Sequence, residues 1–132
     1  MEKIKVLIAD DHRVVREGLA AILKTKEDIN VVGEAQDGVE AVEKTRTLLP
    51  DVVLMDVSMP RMGGVEATRQ IKREFPHIGI VALTMYEEQQ YIFDLVRAGA
   101  TGYLLKDSES SQIVAAIRAI YRGESLIHPS VA

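Results

Sequence analysis

Short apolar runs recur along the chain and alternate with segments of helical spacing. The runs are residues 6–9, 31–32, 52–55, 80–83 and 103–105. Most are continuously apolar, which is typical of parallel strands that are covered on both faces. Between the runs, apolar residues recur at intervals of three and four positions, the pattern of a helix with one buried stripe. The chain is therefore predicted to alternate five strands with five helices.

Residues that begin or end helices agree with this pattern. Pro50 and Pro76 follow the second and third predicted helices, and Gly99 follows the fourth. Asp37 and Ser108 are predicted to be helix N-caps. Strict alternation of strands and helices predicts a doubly wound α/β fold, in which a five-stranded parallel sheet carries helices on both faces. Ligands of such sheets bind beyond the carboxyl ends of the strands, so we expect the functional site there.

The composition indicates one globular domain and excludes several classes of protein. The chain has 132 residues, 47% hydrophobic and 27% charged, a length that suits a single domain. A net charge of -4 argues against a nucleic-acid-binding surface, which needs clustered Lys and Arg. The absence of cysteine excludes disulfides and thiolate zinc sites. Because no apolar stretch approaches the ~20 residues of a membrane span, we expect no membrane association and a cytoplasmic location.

Three acidic residues follow predicted strands. Asp10 and Asp11 come directly after the first strand, and Asp56 comes after the third. Carboxylates at one edge of a sheet repel one another unless a cation joins them, and a small set of oxygen ligands favours Mg²⁺. The alternative for each acid is a helix N-cap, and it is strongest for Asp11, which precedes a helix predicted to begin near His12. The pattern thus predicts a divalent metal site.

The fourth and fifth strands add two more polar groups to the same edge. Thr84 ends the fourth strand and Lys106 follows the fifth. A carboxylate nucleophile, a metal, an ammonium group and a hydroxyl are the parts that phosphoryl transfer needs. We expect Lys106 to pair with Asp56 before modification and with a phosphoryl oxygen afterwards. Thr84 is expected to reach that oxygen only after reorienting, which predicts a switch.

These motifs resemble the landmarks of response-regulator receiver domains, in order and at the family's spacing. The matching segments are residues 9–11 (ADD), 54–64 (LMDVSMPRMGG), 83–84 (LT) and 102–106 (GYLLK). The resemblance covers almost the whole chain and implies a flavodoxin-like strand order, 2-1-3-4-5. It also implies that Asp56 is the phosphoacceptor, and that a sensor histidine kinase is the phosphoryl donor.

The resemblance assigns further roles at the site. Mg²⁺ would be held by Asp10, Asp11, Asp56 and the backbone carbonyl of Ser58. Thr84 and Lys106 would contact the phosphoryl group. Thr84 and Tyr103 would form the switch, although a permanently packed tyrosine explains Tyr103 equally well. Ser58 and Tyr86 match positions beside the path of attacking water, so both are expected to tune the lifetime of the phosphoryl group.

Other residues near the site have structural interpretations. Gly63 and Gly64 are expected to permit positive φ, which lets the loop after Asp56 fold tightly into the next helix. His12, His77 and His128 show no ligand spacing and are assigned to no site.

The end of the chain resembles one subgroup of the family. Asp107 stands where many receivers have proline, and residues 102–107 (GYLLKD) and 122–129 (RGESLIHP) are similar to the NarL/FixJ subgroup. Members of that subgroup attach a LuxR-type helix-turn-helix domain. We therefore expect a receiver domain over residues 1–122 and the start of a linker to a missing output domain over 123–132. A receiver that acts alone is the alternative.

The expected function is that of a signalling module. Phosphorylation of Asp56 by the kinase, with Mg²⁺, would alter the surface at the fourth helix and fifth strand. Homodimerisation would follow, and DNA would be bound only through the missing C-terminal domain, for transcription regulation. The chain is not expected to be an enzyme beyond self-catalysed phosphoryl uptake and hydrolysis.

Three alternative functions fit the sequence less well. A haloacid-dehalogenase type enzyme needs Asp-x-Asp after the first strand, where this chain has Asp10-Asp11-His12. A flavin or nucleotide module needs a glycine-rich loop there, which is absent. A receiver used only for contacts would not need the complete set of acids, hydroxyl and lysine.

Overall fold

The computed structural model of the chain describes residues 2–85 and 89–126, except for the side chains of residues 89–91. Strands and helices alternate strictly in this part of the chain, as the sequence predicts. They are β1 (Ile4–Ala9), α1 (Arg13–Lys24), β2 (Ile29–Ala35), α2 (Gly38–Leu48), β3 (Val52–Asp56), α3 (Gly64–Glu74), β4 (Gly79–Thr84), α4 (Gln89–Ala98), β5 (Gly102–Leu105) and α5 (Ser110–Tyr121).

The strands form one parallel sheet with the order β2-β1-β3-β4-β5. The prediction of a doubly wound sheet in flavodoxin-like order is confirmed. The register pairs Ala9 with Met55, Asp56 with Leu83, and Thr84 with Leu105. The carboxyl ends of β1, β3, β4 and β5 therefore lie at one edge.

Both faces of the sheet are buried. Ile8, Leu54 and Leu83 point to a core that α1 and α5 cover, and the neighbouring Leu7 and Val53 point to a second core below α2 and α3. Burying a side chain of this size stabilises the fold by about 1.5–3 kcal/mol relative to leaving it exposed. The central strands are continuously apolar because successive side chains, which alternate in direction, meet a core on either side.

One of the two predicted N-caps is confirmed and the other is wrong. The Asp37 side chain accepts a hydrogen bond from Glu40 N at 2.8 Å, at the start of α2. Helix α5 is instead capped by Glu109, whose N–H donates to the Gln112 side chain at 3.0 Å in a reciprocal capping box. Ser108 belongs to the preceding turn, because its N–H donates to the Leu105 carbonyl. The reciprocal pair satisfies two N–H groups, whereas a single serine cap satisfies one.

After α5 the chain returns to the outer edge of the sheet. Leu126 N donates to the Thr101 carbonyl at 2.9 Å, and Leu126 forms a parallel bridge with Gly102 at the start of β5. Within the described ranges, each helix is too short or too polar to cross a bilayer.

Candidate functional site

The carboxyl edge of the sheet gathers the predicted polar residues. Asp10 directly follows β1, and its N–H donates to the Ala35 carbonyl at 2.9 Å, which extends the β1–β2 pairing by one residue. Asp56 is the last residue of β3, and Thr84 is the last of β4. Lys106 follows β5, and its N–H donates to the Thr84 carbonyl at 2.9 Å. The backbone pairing of neighbouring strands thus determines the Cα positions from which these side chains extend.

The Lys106 ammonium group lies between two buried acids. Nζ is 3.1 Å from Asp10 Oδ2 and 3.1 Å from Asp56 Oδ1. Burial lowers the pKa of Lys106, but hydrogen bonding and charge from the two acids outweigh burial and raise the pKa overall. Lys106 therefore carries a positive charge at the centre of the site.

Asp56 is an acid in an environment that opposes its ionisation. Its exposed fraction is 2%. Burial and the negative charge of Asp10 raise the pKa of Asp56 to about 6, although Lys106 acts in the opposite direction. The N–H of Ser58 approaches Asp56 Oδ1 only at 3.4 Å, and Oδ2 is buried without a hydrogen-bond partner among the described residues. A carboxylate with an uncompensated buried oxygen is suited to receive a cation.

The acidic residues fit a hard divalent cation. Asp10, Asp11, His12 and Asp56 each offer one ligand atom, and these atoms all lie within 4.8 Å of one another. Asp10 Oδ2 is ion-paired with Lys106 Nζ at 3.1 Å. Clustered carboxylate oxygens are the ligands that Mg²⁺ and similar cations prefer. The described residues thus include a cluster that can hold a metal ion.

Asp11 is available for this cluster because it does not cap α1. The N-cap of α1 is His12, which makes no side-chain capping hydrogen bond. The Asp11 side chain is 29% exposed, so it faces the solvent side of the cluster. The alternative interpretation of Asp11 as a helix cap is therefore not supported.

His12 belongs to the cluster, which the sequence did not reveal. Its Nδ1 lies 3.3 Å from Asp10 Oδ1 and 3.2 Å from Asp11 Oδ1. Its backbone N–H donates to Asp10 Oδ1 at 2.8 Å, which turns the chain sharply and brings the ring towards the acids. The spacing of the histidines gives no indication of a metal site. The signal that the sequence does contain is that His12 directly follows two acids at a strand end.

The loop after Asp56 is tight, but the reason differs from the predicted one. Gly63 has a φ of -76°, and the residue of this loop with positive φ is Arg61, at 65°. Gly64 is required because an added Cβ would lie 2.1 Å from the Asp56 carbonyl oxygen. The Gly64 N–H donates to the Val57 carbonyl at 2.9 Å. Close backbone approach, not positive φ, explains Gly64, whereas an added Cβ on Gly63 would lie 3.3 Å from the Val57 carbonyl oxygen.

The same loop is tied to the start of α2. Gly38 N donates to the Met62 carbonyl at 2.9 Å, and an added Cβ on Gly38 would lie 2.2 Å from that oxygen. Arg61 Nη1 lies 3.2 Å from Asp37 Oδ2. These contacts hold the loop that carries Ser58 against a neighbouring helix.

The two predicted switch residues lie at different depths. Thr84 is 1% exposed at the end of β4. Tyr103 is half-buried on β5 and packs against a small apolar cluster that includes Val57 and Leu95 of α4. Tyr86, the second predicted lifetime residue, lies outside the described residues. Tyr103 thus connects β5 to α4.

Comparison with known proteins places this geometry in a family. The sequence matches the response regulator receiver domain family over residues 6–118. It is 45% identical over 129 residues to the oxygen regulatory protein NreC of Staphylococcus carnosus (strain TM300), a match that covers 97% of this chain and 59% of NreC. The response regulator GacA of Pseudomonas syringae pv. syringae (strain B728a) is 46% identical, with 98% of this chain and 60% of GacA covered. The chain therefore spans about three-fifths of the length of these relatives.

A solved structure shows the same architecture. The signal receiver domain of NarL from Mycobacterium tuberculosis matches with a TM-score of 0.89 and 35% sequence identity, over 94% of this chain and 100% of that one.

Proposed function

The chain belongs to the response-regulator receiver domain family, and on that premise we propose that Asp56 accepts a phosphoryl group from a sensor histidine kinase with the help of Mg²⁺. The observation that carries this proposal is the position of Lys106 Nζ, 3.1 Å from both Asp10 and Asp56, beside a buried Asp56 oxygen without a hydrogen-bond partner among the described residues. Family membership also removes the dehalogenase and flavin-module alternatives.

Asp56 would act as the nucleophile. A carboxylate oxygen of Asp56 attacks the phosphorus atom of a phosphohistidine, the P–N bond breaks, and the imidazole of the kinase leaves with the electron pair. The attacking group must be ionised, and Lys106 favours that form. Lys106 would then pair with a phosphoryl oxygen, since its ammonium group already lies beside Asp56.

Asp10, Asp11, Asp56 and the backbone carbonyl of Ser58 would hold the metal. Bound Mg²⁺ supplies positive charge to the phosphoryl oxygens. The contacts of the Ser58 loop with α2 support this assignment, because a backbone ligand has to be held in place by its own loop. Receiver domains of response regulators are not classical enzymes, and the proposed activity is limited to self-catalysed uptake and hydrolysis of one phosphoryl group.

The signal would leave the site through Thr84 and Tyr103. A reoriented Thr84 hydroxyl donates a hydrogen bond to a phosphoryl oxygen and leaves space beside β4. The Tyr103 ring, which packs on the cluster containing Leu95, would follow into that space and change the surface of α4 and β5. Ser58 and Tyr86 would tune the lifetime of the phosphoryl group.

The proposal extends to the longer protein. Residues 1–122 would form the receiver, and 123–132 the start of a linker to a C-terminal helix-turn-helix domain. Phosphorylation would favour a homodimer in the cytoplasm, and the C-terminal domain alone would bind DNA to regulate transcription. NreC and GacA are longer than this chain, which leaves room for a further domain in proteins of this kind.

Intact-mass measurement tests the chemistry directly. The protein is incubated with acetyl phosphate, with Mg²⁺ or with EDTA, beside an Asp56→Asn variant and an Asp107→Asn control that removes an exposed acid near the site. We expect the mass of one phosphoryl group to be added to the wild type and the control only with Mg²⁺, and never to Asp56→Asn. A folded protein that gains no mass under any condition would contradict the proposal and favour a receiver used only for contacts.

A further inference from the structure

His12 faces the acidic cluster of Asp10, Asp11 and Asp56 from the solvent side. Its Nδ1 is 3.2 Å from Asp11 Oδ1 and 3.3 Å from Asp10 Oδ1, while its ring is largely exposed. His77 offers a contrast, because its ring packs edge-on to Phe75 away from the cluster. Only His12, of the two histidines in the described ranges, lies beside acidic ligand atoms.

The separations suit ligands that share one metal ion. Adjacent ligands of an octahedral ion with bonds of about 2.1 Å are about 3.0 Å apart. The nitrogen of His12 and the two carboxylate oxygens are separated by almost this distance. Small side-chain rotations would therefore bring all three atoms onto one ion.

A buried oxygen independently indicates that a ligand belongs here. Asp56 is 2% exposed and its Oδ2 lacks a hydrogen-bond partner among the described residues, whereas Asp10 Oδ2 is ion-paired with Lys106 Nζ at 3.1 Å. A buried carboxylate oxygen without a partner destabilises the folded state. A cation at the cluster would remove this cost, and His12 is at the position to complete its coordination.

We infer that His12 is an additional ligand at this site, which lets the cluster take a borderline transition-metal ion such as Co²⁺ through a nitrogen atom. The inference rests on the proposed function only for the location of the metal. Mg²⁺ prefers oxygen ligands and gains little from imidazole, whereas Co²⁺ gains more. His12 thus acts on metal selectivity, and phosphoryl transfer with Mg²⁺ does not need it.

Isothermal titration of the metal-free protein with MgCl₂ and with CoCl₂ tests this inference. The variant is His12→Asn, which keeps a residue that is favourable at an N-cap, and the matched control is His77→Asn. We expect His12→Asn to weaken Co²⁺ binding by about tenfold or more and Mg²⁺ binding by less than about twofold. The visible spectrum of bound Co²⁺ should also change in His12→Asn and stay as in the wild type in His77→Asn.

The other outcomes each overturn the inference. Equal weakening of both metals would mean that His12 acts only by organising the acids, and no weakening would mean that it does not contact the ion. Both results would leave the proposed function standing if Mg²⁺ still binds and Asp56 still gains a phosphoryl group. Failure of the wild type to bind either metal would instead contradict the inference and the proposed function together.

Discussion

Lys106 Nζ lies 3.1 Å from Oδ1 of Asp56 and equally far from Oδ2 of Asp10, so one cation separates two buried acids. Replacing Lys106 by methionine keeps the length of the side chain and removes the charge. We expect Lys106→Met to destabilise the metal-free fold by about 2 kcal/mol, because the paired acids lose their only strong cationic partner in the described site. Urea unfolding with EDTA measures this loss.

Mg²⁺ should restore part of the stability that Lys106→Met loses, since a cation at the cluster can separate the same acids. Lys24→Met, which removes an exposed charge at the end of α1, serves as the control and should change stability by less than about 0.5 kcal/mol. An equal loss in both variants would show that Lys106 does not hold the acids together.

The raised pKa of Asp56 predicts how stability depends on pH. The pKa is raised from the ordinary value of 3.8 to about 6, mainly by burial. The folded state therefore binds the proton more tightly than the unfolded state, and this contribution is lost as pH rises through about 6. Without metal, the free energy of unfolding of Asp56→Asn, relative to that of the wild type, should rise by about 2 kcal/mol from pH 4 to pH 7, because one pKa unit corresponds to about 1.4 kcal/mol.

Denaturant titrations at several pH values, in EDTA, check the Asp56 prediction. Asp107→Asn is the control and should follow the wild-type curve, because it removes an exposed acid. A constant difference between Asp56→Asn and the wild type over this range would argue that the Asp56 pKa is not raised. Mg²⁺ should reduce the difference in stability between Asp56→Asn and the wild type, because it favours ionised Asp56.

Gly64 and Gly18 make a matched pair of helical glycines. An added Cβ on Gly64 would lie 2.1 Å from the Asp56 carbonyl oxygen, whereas Gly18 has nothing within 4 Å. Gly64→Ala should therefore cost about 2 kcal/mol or more through a forced backbone shift, and it should also slow phosphoryl uptake by moving Asp56. Gly18→Ala should instead stabilise α1 by up to about 1 kcal/mol. Thermal unfolding of both variants checks the prediction, which would be contradicted if Gly64→Ala were not destabilised or if Gly18→Ala were less stable than the wild type.

The order of strands and helices could be predicted because the central strands are buried on both faces. Residues 6–9 and 52–55, read from the sequence, fall within β1 and β3 as observed. Only residues 31–32 of β2 were predicted, although the strand runs from Ile29 to Ala35. This edge strand is half-exposed and includes Asn30, Gly33 and Glu34, which interrupt the apolar run.

The site could be predicted as far as topology determines it. Parallel pairing brings strand ends together, so Asp10, Asp56 and Lys106 were placed at one edge by chain order alone. The part played by His12 depends on a sharp local turn, which no periodicity encodes. Gly64 was identified as a necessary glycine, but its reason, contact with the Asp56 carbonyl, is a tertiary feature.

Arg16 is predicted to position the first acid. Its Nη1 donates to the Asp10 carbonyl at 2.8 Å, and its Nε donates to Glu34 at 3.1 Å, so it holds the end of β1 to the end of β2. Arg16→Met should weaken Mg²⁺ binding several-fold and lower stability by about 1–2 kcal/mol. Arg13→Met, which breaks an exposed pair with Glu17, is the control. Titration with Mg²⁺ should show weaker binding by Arg16→Met than by Arg13→Met. Equal Mg²⁺ affinity of the two variants would show that Arg16 does not position Asp10.

Removing the hydroxyl group of Thr68 should stabilise the fold. The side chain is fully buried on α3, and Oγ1 has no hydrogen-bond partner among the described residues. Thr68→Val keeps the shape and removes an unsatisfied polar atom, so the free energy of unfolding should rise by about 1 kcal/mol. Thr45 is equally buried on α2, but its Oγ1 donates to the Ala41 carbonyl at 2.7 Å. Thr45→Val should therefore gain nothing or lose stability, and urea unfolding that ranks the two valine variants the other way would show that an unseen partner satisfies Thr68.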